Sequence, residues 1–251
     1  LIVVAAGASV AHADSVTTTR AWTNCQGGEG IWAEMRISGC NDVIKSGKAA
    51  GADLAKAYYN RANTLLQKSE YKRAIGDYSQ ALTLTPEDAN ALHERCWARA
   101  VLNIDLEDAL SDCNEALRLQ PNDAETLGGR AFVYLRLGFF RTAVIDYDAA
   151  LKLKPQDALL LFARGTAKTR AGDDEGGKAD RAAARVIDPE VETAFARHEA
   201  GPDGGGIYTY WMTKGNTLIS GNYVSGIRRS GFAGSWPVAA VYLDEGTDYV
   251  T

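Results

Sequence analysis

Residues 71–86 read YKRAIGDYSQALTLTP, and the same pattern returns at 140–155 as FRTAVIDYDAALKLKP. Each stretch closes on a proline, and four prolines, Pro86, Pro121, Pro155 and Pro189, stand 35, 34 and 34 residues apart. A period of about 34 residues marks a two-helix unit stacked into a solenoid. Aligned on the prolines, the units run Ala55 to Asp88, Asn90 to Asp123, Ala124 to Asp157 and Ala158 to Val191. Small residues recur at matched places, Ala74, Ala109 and Ala143 at one, Ala81, Ala116, Ala150 and Ala184 at another. Tyr78, Cys113 and Tyr147 recur between them at helical spacing, so the second helix of each unit presents one face on which a neighbour packs closely.

The first helix of each unit carries a matching face: Tyr58, Arg61, Ala62 and Leu65 in the first, Leu127, Arg130, Ala131 and Tyr134 in the third. Hinges fall at Lys68-Ser69-Glu70-Tyr71 and at Leu137-Gly138-Phe139-Phe140. Proline then ends the second helix, because it lacks the backbone donor and its ring clashes with the preceding turn. The fourth unit departs: Gly177 replaces the packing alanine and Arg181 the large residue, which is expected to loosen the last pair. Residues 190–200 read as a closing helix with Val191, Ala194 and Phe195 on one side. Ahead of the array, RISGCNDVIKSG (Arg36 to Gly47) parallels ALSDCNEALRLQP (Ala109 to Pro121) and is expected to form a lone helix capping the front.

Tyr58-Tyr59-Asn60-Arg61-Ala62, Tyr71-Lys72-Arg73-Ala74-Ile75 and Ala81 to Pro86, with Asp146 to Pro155 close behind, make this pattern resemble the tetratricopeptide repeat. The resemblance covers a little over half the chain. It implies an all-α, right-handed superhelical solenoid of helix-turn-helix repeats whose first helices line a concave groove. Carried over by alignment, the groove positions are Tyr59, Asn63 and Leu66, then Glu94, Ala98 and Val101, then Phe132, Leu135 and Arg136, and last Phe162, Thr166 and Arg170. Such a strip suits an extended or helical peptide, with Arg136 and Arg170 available for a carboxylate. The alternative is that several of its apolar members pack between neighbouring helices. The residue set with which related repeats hold the carboxylate of cytosolic chaperones is missing: Asn63 matches, but Tyr59, Arg95, Glu125 and Gly129 stand at the other places.

A 46% hydrophobic share with 24% charged residues describes a soluble globular chain. The net charge of −5, without a basic stripe, argues against nucleic acid as a partner. No stretch reaches the length of a transmembrane helix. Neither a catalytic, a metal-binding nor a cofactor-binding constellation emerges. The three histidines, His12, His93 and His198, lack an elbow-type nucleophile or a ligand partner at helical spacing. Gly27-Gly28-Glu29-Gly30 and the 201–206 run lack the Lys-Ser/Thr of a phosphate loop.

The chain divides into 1–13, 14–54 (an N-terminal cap with a diverged half-repeat), 55–200 (the repeats and closing helix), a 201–206 linker and a 207–251 extension. LIVVAAGASVAHA (1–13) ends in an A-x-A processing site, so it is expected to be the tail of a secretory signal peptide, the alternative being a buried helix. An exported, periplasmic protein follows. Residues 207–251, rich in Tyr, Trp, Gly and Thr, are β-prone. They read as a small extension on the solenoid, the start of a larger β domain, or a tail without its own fold. The leading function is a non-enzymatic scaffold binding a protein or peptide through the groove. The alternative is the recruitment part of an enzyme or envelope-polymer-binding protein whose active module starts near Ile207. Self-association is a third reading.

Export permits disulfides, and the four cysteines make an even count. Cys25 and Cys40 flank the front cap, while Cys96 and Cys113 lie on inner faces of two helices that normally touch. Either Cys96 and Cys113 are bridged or they are two buried thiols serving as small apolar groups. A bridge over such a loop contributes about 3 kcal/mol in the chain-entropy model. Alkylation of the unfolded, unreduced protein is expected to find no reactive thiol; four reactive thiols would remove both bridges.

Overall fold

The computed structural model describes residues 19–200 and the paired segments Val241–Tyr242 and Tyr249–Val250. The 1–13 leader, the 201–206 linker and the rest of the 207–251 extension lie outside the described residues. Helices fill 19–200 in the order the period dictates: α1 (19–26), α2 (Ala33–Ser46), α3 (Gly51–Gln67), α4 (Tyr71–Leu84), α5 (Ala89–Leu102), α6 (Leu106–Leu119), α7 (Ala124–Leu137), α8 (Phe140–Leu153), α9 (Ala158–Arg170), α10 (Asp174–Ile187) and α11 (Val191–Ala200). Helices α3 to α10 make four antiparallel pairs, each stacked on the next. The two β segments pair antiparallel, Val241 opposite Val250 and Tyr242 opposite Tyr249.

Local chemistry sets the boundaries. Two residues after each of the first three prolines stands an aspartate, and its carboxylate caps the next helix. Asp88 accepts from the Asn90 and Ala91 amides, Asp123 from Thr126, and Asp157 from Leu160. Proline and aspartate thus act as one stop-and-start device, each cap contributing about 1 kcal/mol. Within the pairs the chain turns through left-handed residues, Ser69, Asn103, Gly138 and Gly172. The second hinge adds a further one, Asp105 at φ 45°.

One interaction ties the helices of every pair together, and it escapes the periodic reading of small residues. Arg61, Arg95, Arg130 and Arg164 on the first helices fork onto Asp77, Asp112, Asp146 and Asp180 on the second, with all eight N···O distances between 2.6 and 2.8 Å. The remaining nitrogen of each guanidinium reaches back to the preceding second helix, to Asn41, Ser79, Asn114 and Asp148 in turn. Asn41 lies on α2, so α2 occupies the place of a second helix ahead of unit one. The expected lone front helix therefore has a partner, α1, held by the Cys25–Cys40 disulfide. Gly39 permits that approach, since a Cβ there would lie 2.7 Å from the Ala21 carbonyl oxygen and 2.8 Å from the Cys25 nitrogen.

The core lies between the two helices of each unit. Ala62, Ala74, Ala131 and Ala143 are fully buried, with Tyr78 and Tyr147 beside them. In unit two the corresponding place is taken by a Cys96–Cys113 disulfide. The expected loosening of the fourth pair does not occur. Gly165 and Gly177 face each other, and a Cβ on either would come 2.7 or 2.6 Å from the other's carbonyl oxygen. Removing both Cβ atoms lets α9 and α10 approach more closely than alanines allow. Arg181 lies along the seam, donating to the Gly165 carbonyl oxygen and the Thr169 hydroxyl.

Two glycine substitutions separate close approach from mere helix weakness. Gly177→Ala is expected to lower stability by about 1–3 kcal/mol through overpacking against backbone. Gly76→Ala, in an exposed helical site with open space around it, is expected to raise stability by about 0.5–1 kcal/mol. Shifts of the denaturant midpoint in opposite directions check both.

Candidate partner-binding groove

First helices touch one another from unit to unit, α3 with α5, α5 with α7 and α7 with α9, whereas no second helix of the repeats touches the next. The first helices therefore share one side of the stack, its inner side. Helix α11 does not simply close the end of the array: it turns back onto this inner surface. The Phe195 ring sits 5.3 Å from that of Phe162 and 6.2 Å from that of Phe132. The imidazole of His198 meets the edge of Trp97 at 5.0 Å.

Two arginines fix the far end of α11. Arg136 donates to the Ala100 and Val101 carbonyl oxygens at the end of α5 and to those of His198 and Glu199 at the end of α11. One guanidinium thus neutralises the negative ends of two helices. Arg170 binds the Glu199 carboxylate at 2.8 Å. Both arginines, expected from the sequence to await a partner's carboxylate, are engaged within the chain. Burial lowers the Arg136 pKa to about 10, with Glu199 acting in the opposite direction.

The remaining positions divide in two. Tyr59, Asn63, Leu66 and Glu94 keep some exposure along the inner side, with Asn63 accepting a hydrogen bond from the Tyr78 hydroxyl at 2.6 Å. Phe132, Leu135 and Phe162 are buried, and Thr166 donates to the Phe162 carbonyl oxygen. Ala98 and Val101 are buried as well. In the second unit it is Trp97 that stands where Asn63, Phe132 and Thr166 stand in the others. The slip has a physical cause. The fork spans 17 residues in unit two and 16 in the other three, so the extra residue lies in the 103–105 hinge. Counting back from Pro121 carries it into α5 and displaces every position by one. The arginine–aspartate register, present in the sequence, would have located it.

Between α5, α7, α9 and α11 the groove keeps a cavity of about 240 Å³, walled by Trp97, Phe132 and Phe195 and bordered by Glu94. Burial raises the Glu94 pKa, and Glu125 raises it further. Among the described residues no group of three or more His, Cys, Asp or Glu is placed to hold a metal ion.

The docking of α11 is expected to depend on pH. Burial, then the nearby Arg197 and Arg136 charges, lowers the His198 pKa below its ordinary 6.5. A released helix would take up a proton more readily than the docked one. Docking is therefore strongest above that ordinary value and weakens as pH falls through it. Loss of amide protection over 191–200 at mild acid, much reduced in His198→Phe, is the expected result.

Residues 55–88 match the tetratricopeptide repeat family. No curated protein sequence matches the chain. Among solved structures, MamA 41-end from Desulfovibrio magneticus RS-1 superposes with a TM-score of 0.57 at 14% identity, over 74% of this chain and 98% of that one. A tetratricopeptide repeat protein from Parabacteroides merdae ATCC 43184 does so with a TM-score of 0.54 at 17% identity, over 73% of each chain. At such identities the likeness concerns the fold. The unit at the head of the array thus matches the tetratricopeptide repeat, and the same helix pairing is carried through three more units.

Proposed function

We propose that the chain is a non-enzymatic scaffold that binds a protein or peptide segment on its inner surface. The observation that carries this reading is the seating of α11, whose residues Phe195, His198 and Glu199 meet two arginines and a row of aromatic rings. Phe195, His198 and Glu199 are spaced i, i+3 and i+4, the anchor pattern of a helix held in a groove. The surface thus has the chemistry to hold a helical segment, and its front half, from Tyr59 to Glu94, has no such occupant in the described chain. The working compartment is an oxidising one. Two disulfides and the A-x-A site at 11–13 support export, with the bacterial periplasm as destination. No helix among the described residues is long and apolar enough to cross a membrane.

A photoreactive benzoylphenylalanine placed at Tyr59, inside, or at Ile145, on an outer helix and 66% exposed, tests the surface directly. In envelope extract, crosslinks to a discrete protein are expected from position 59 and not from 145. Crosslinks from 145 alone, or none from 59, would defeat the inner-surface reading.

A further inference from the structure

The cavity beneath α11 is opened by an irregularity of the third unit. Where the first helices of the other units carry Tyr59-Asn60, His93-Glu94 and Phe162-Ala163, α7 carries Gly128-Gly129. Two adjacent glycines inside a helix cost about 0.5–1 kcal/mol each relative to alanine. Local conflicts of this kind concentrate at functional sites. Gly128 makes room for Leu160, whose Cδ2 a Cβ would meet at 2.6 Å, whereas no close contact requires a glycine at 129, where a Cβ would meet its nearest neighbour, the His93 ring, at 3.6 Å. The space of about 240 Å³ is several times the roughly 30 Å³ share of one water molecule, yet far too small for a helix.

Its polar lining is unusual. Tyr147 is 1% exposed and lines the cavity, yet its hydroxyl has no hydrogen-bond partner among the described residues. In unit one the matching Tyr78 donates to Asn63, but the residue matching Asn63 in unit three is Phe132, which cannot accept. The buried Nδ1 of His93 also lacks a partner among the described residues, and burial holds that ring towards its neutral form. Glu94 makes no ion pair among the described residues: Lys154, the cation of the lining, is bound to Glu125 at 2.8 Å. Asp157 adds a further carboxylate, already committed to capping α9. A carboxylate, a ring nitrogen and a phenol oxygen can all accept hydrogen bonds, and Trp97, Phe132 and Phe195 present rings around them. Ammonium and guanidinium groups are all-donor cations that aromatic faces attract.

We propose that this cavity receives a basic side chain, lysine or arginine, of the segment bound along the inner surface. The inference rests on the inner-surface reading and names the residue class that the surface selects. An anionic side chain would meet the Glu94 carboxylate as a like charge, and a purely apolar one would leave Glu94 and the two unpartnered groups as they are, at the desolvation cost of each.

The test is a titration of the ¹⁵N-labelled full chain with blocked tripeptides, acetyl-Ala-X-Ala-amide, where X is Arg, Lys, norleucine or Glu. The Arg and Lys probes are expected to shift the Gly128 and Gly129 amides and the Trp97 indole saturably. They should bind about tenfold more tightly than norleucine. Glu94→Gln should erase that preference. Tyr147→Phe, which removes a single oxygen, should weaken the Arg probe and leave norleucine unchanged, and it serves if Glu94→Gln disturbs the fold. Equal binding of norleucine, stronger binding of the Glu probe, no saturable shift, or shifts away from those residues would overturn the proposal. Because crosslinking from position 59 is read separately, the cavity can fail while the inner surface stands.

Discussion

A guanidinium forked onto an aspartate is the constraint on which the rest of this solenoid depends. Two parallel hydrogen bonds fix distance and orientation together, which a hydrophobic contact does not. The hydrogen bonds that Arg61, Arg130 and Arg164 donate to Asp77, Asp146 and Asp180 raise the arginine pKa values, so charge and geometry reinforce each other. Burial would raise the Asp180 pKa, but its bonds to Arg164 and Lys168 outweigh that and lower it. Removing one partner would strand the other in a partly dry seam, and that penalty, more than the net strength of the pair, keeps the register. The third nitrogen, reaching back to the preceding unit, converts four separate hairpins into a stack.

The fork also explains what the chain tolerates. An extra residue in unit two is absorbed at the 103–105 hinge, where Asn103 and Asp105 both take left-handed backbone, and Arg95 keeps both its fork to Asp112 and its bond back to Ser79. Loops absorb length cheaply, whereas a one-residue slip within α5 would rotate Arg95 away from Asp112. Helix order and the ends of the second helices were therefore legible from Pro86, Pro121 and Pro155, and two of the hinges from 68–71 and 137–140. The inner-surface residue Trp97 was not, because prolines mark the end of a unit and say nothing of where within it a residue was added.

Helix α11 was legible as a helix and illegible as to place. Val191, Ala194 and Phe195 announce an apolar side, but a terminal helix can bury that side on the end of the stack or on its inner face. The choice rests on long-range partners: Phe132 and Phe162 offer rings to Phe195, and Arg136 offers donors to carbonyls that a helix end leaves unpaired. Arg136 and Arg170, read as sites for a partner's carboxylate, are held within the chain, Arg136 by main-chain carbonyl oxygens and Arg170 by a carboxylate. What no local pattern disclosed is that the same chain supplies the carboxylate, Glu199, 29 residues beyond Arg170.

The disulfide of unit two belongs to the same account. Units one and three place Tyr78 and Tyr147 against Ala62 and Ala131; unit two places a sulfur–sulfur bond where a ring and a methyl group would be. A bridge fills less volume than a tyrosine, and His93 lies beside it: a Cβ on Gly129 would find the Cys113 sulfur at 3.7 Å and the His93 ring at 3.6 Å. The cystine, the imidazole and the bare helix at Gly129 are thus one packing solution, and it forms a wall of the cavity. Reduction would replace a fixed bridge by two thiols that no longer hold α5 to α6 at that point.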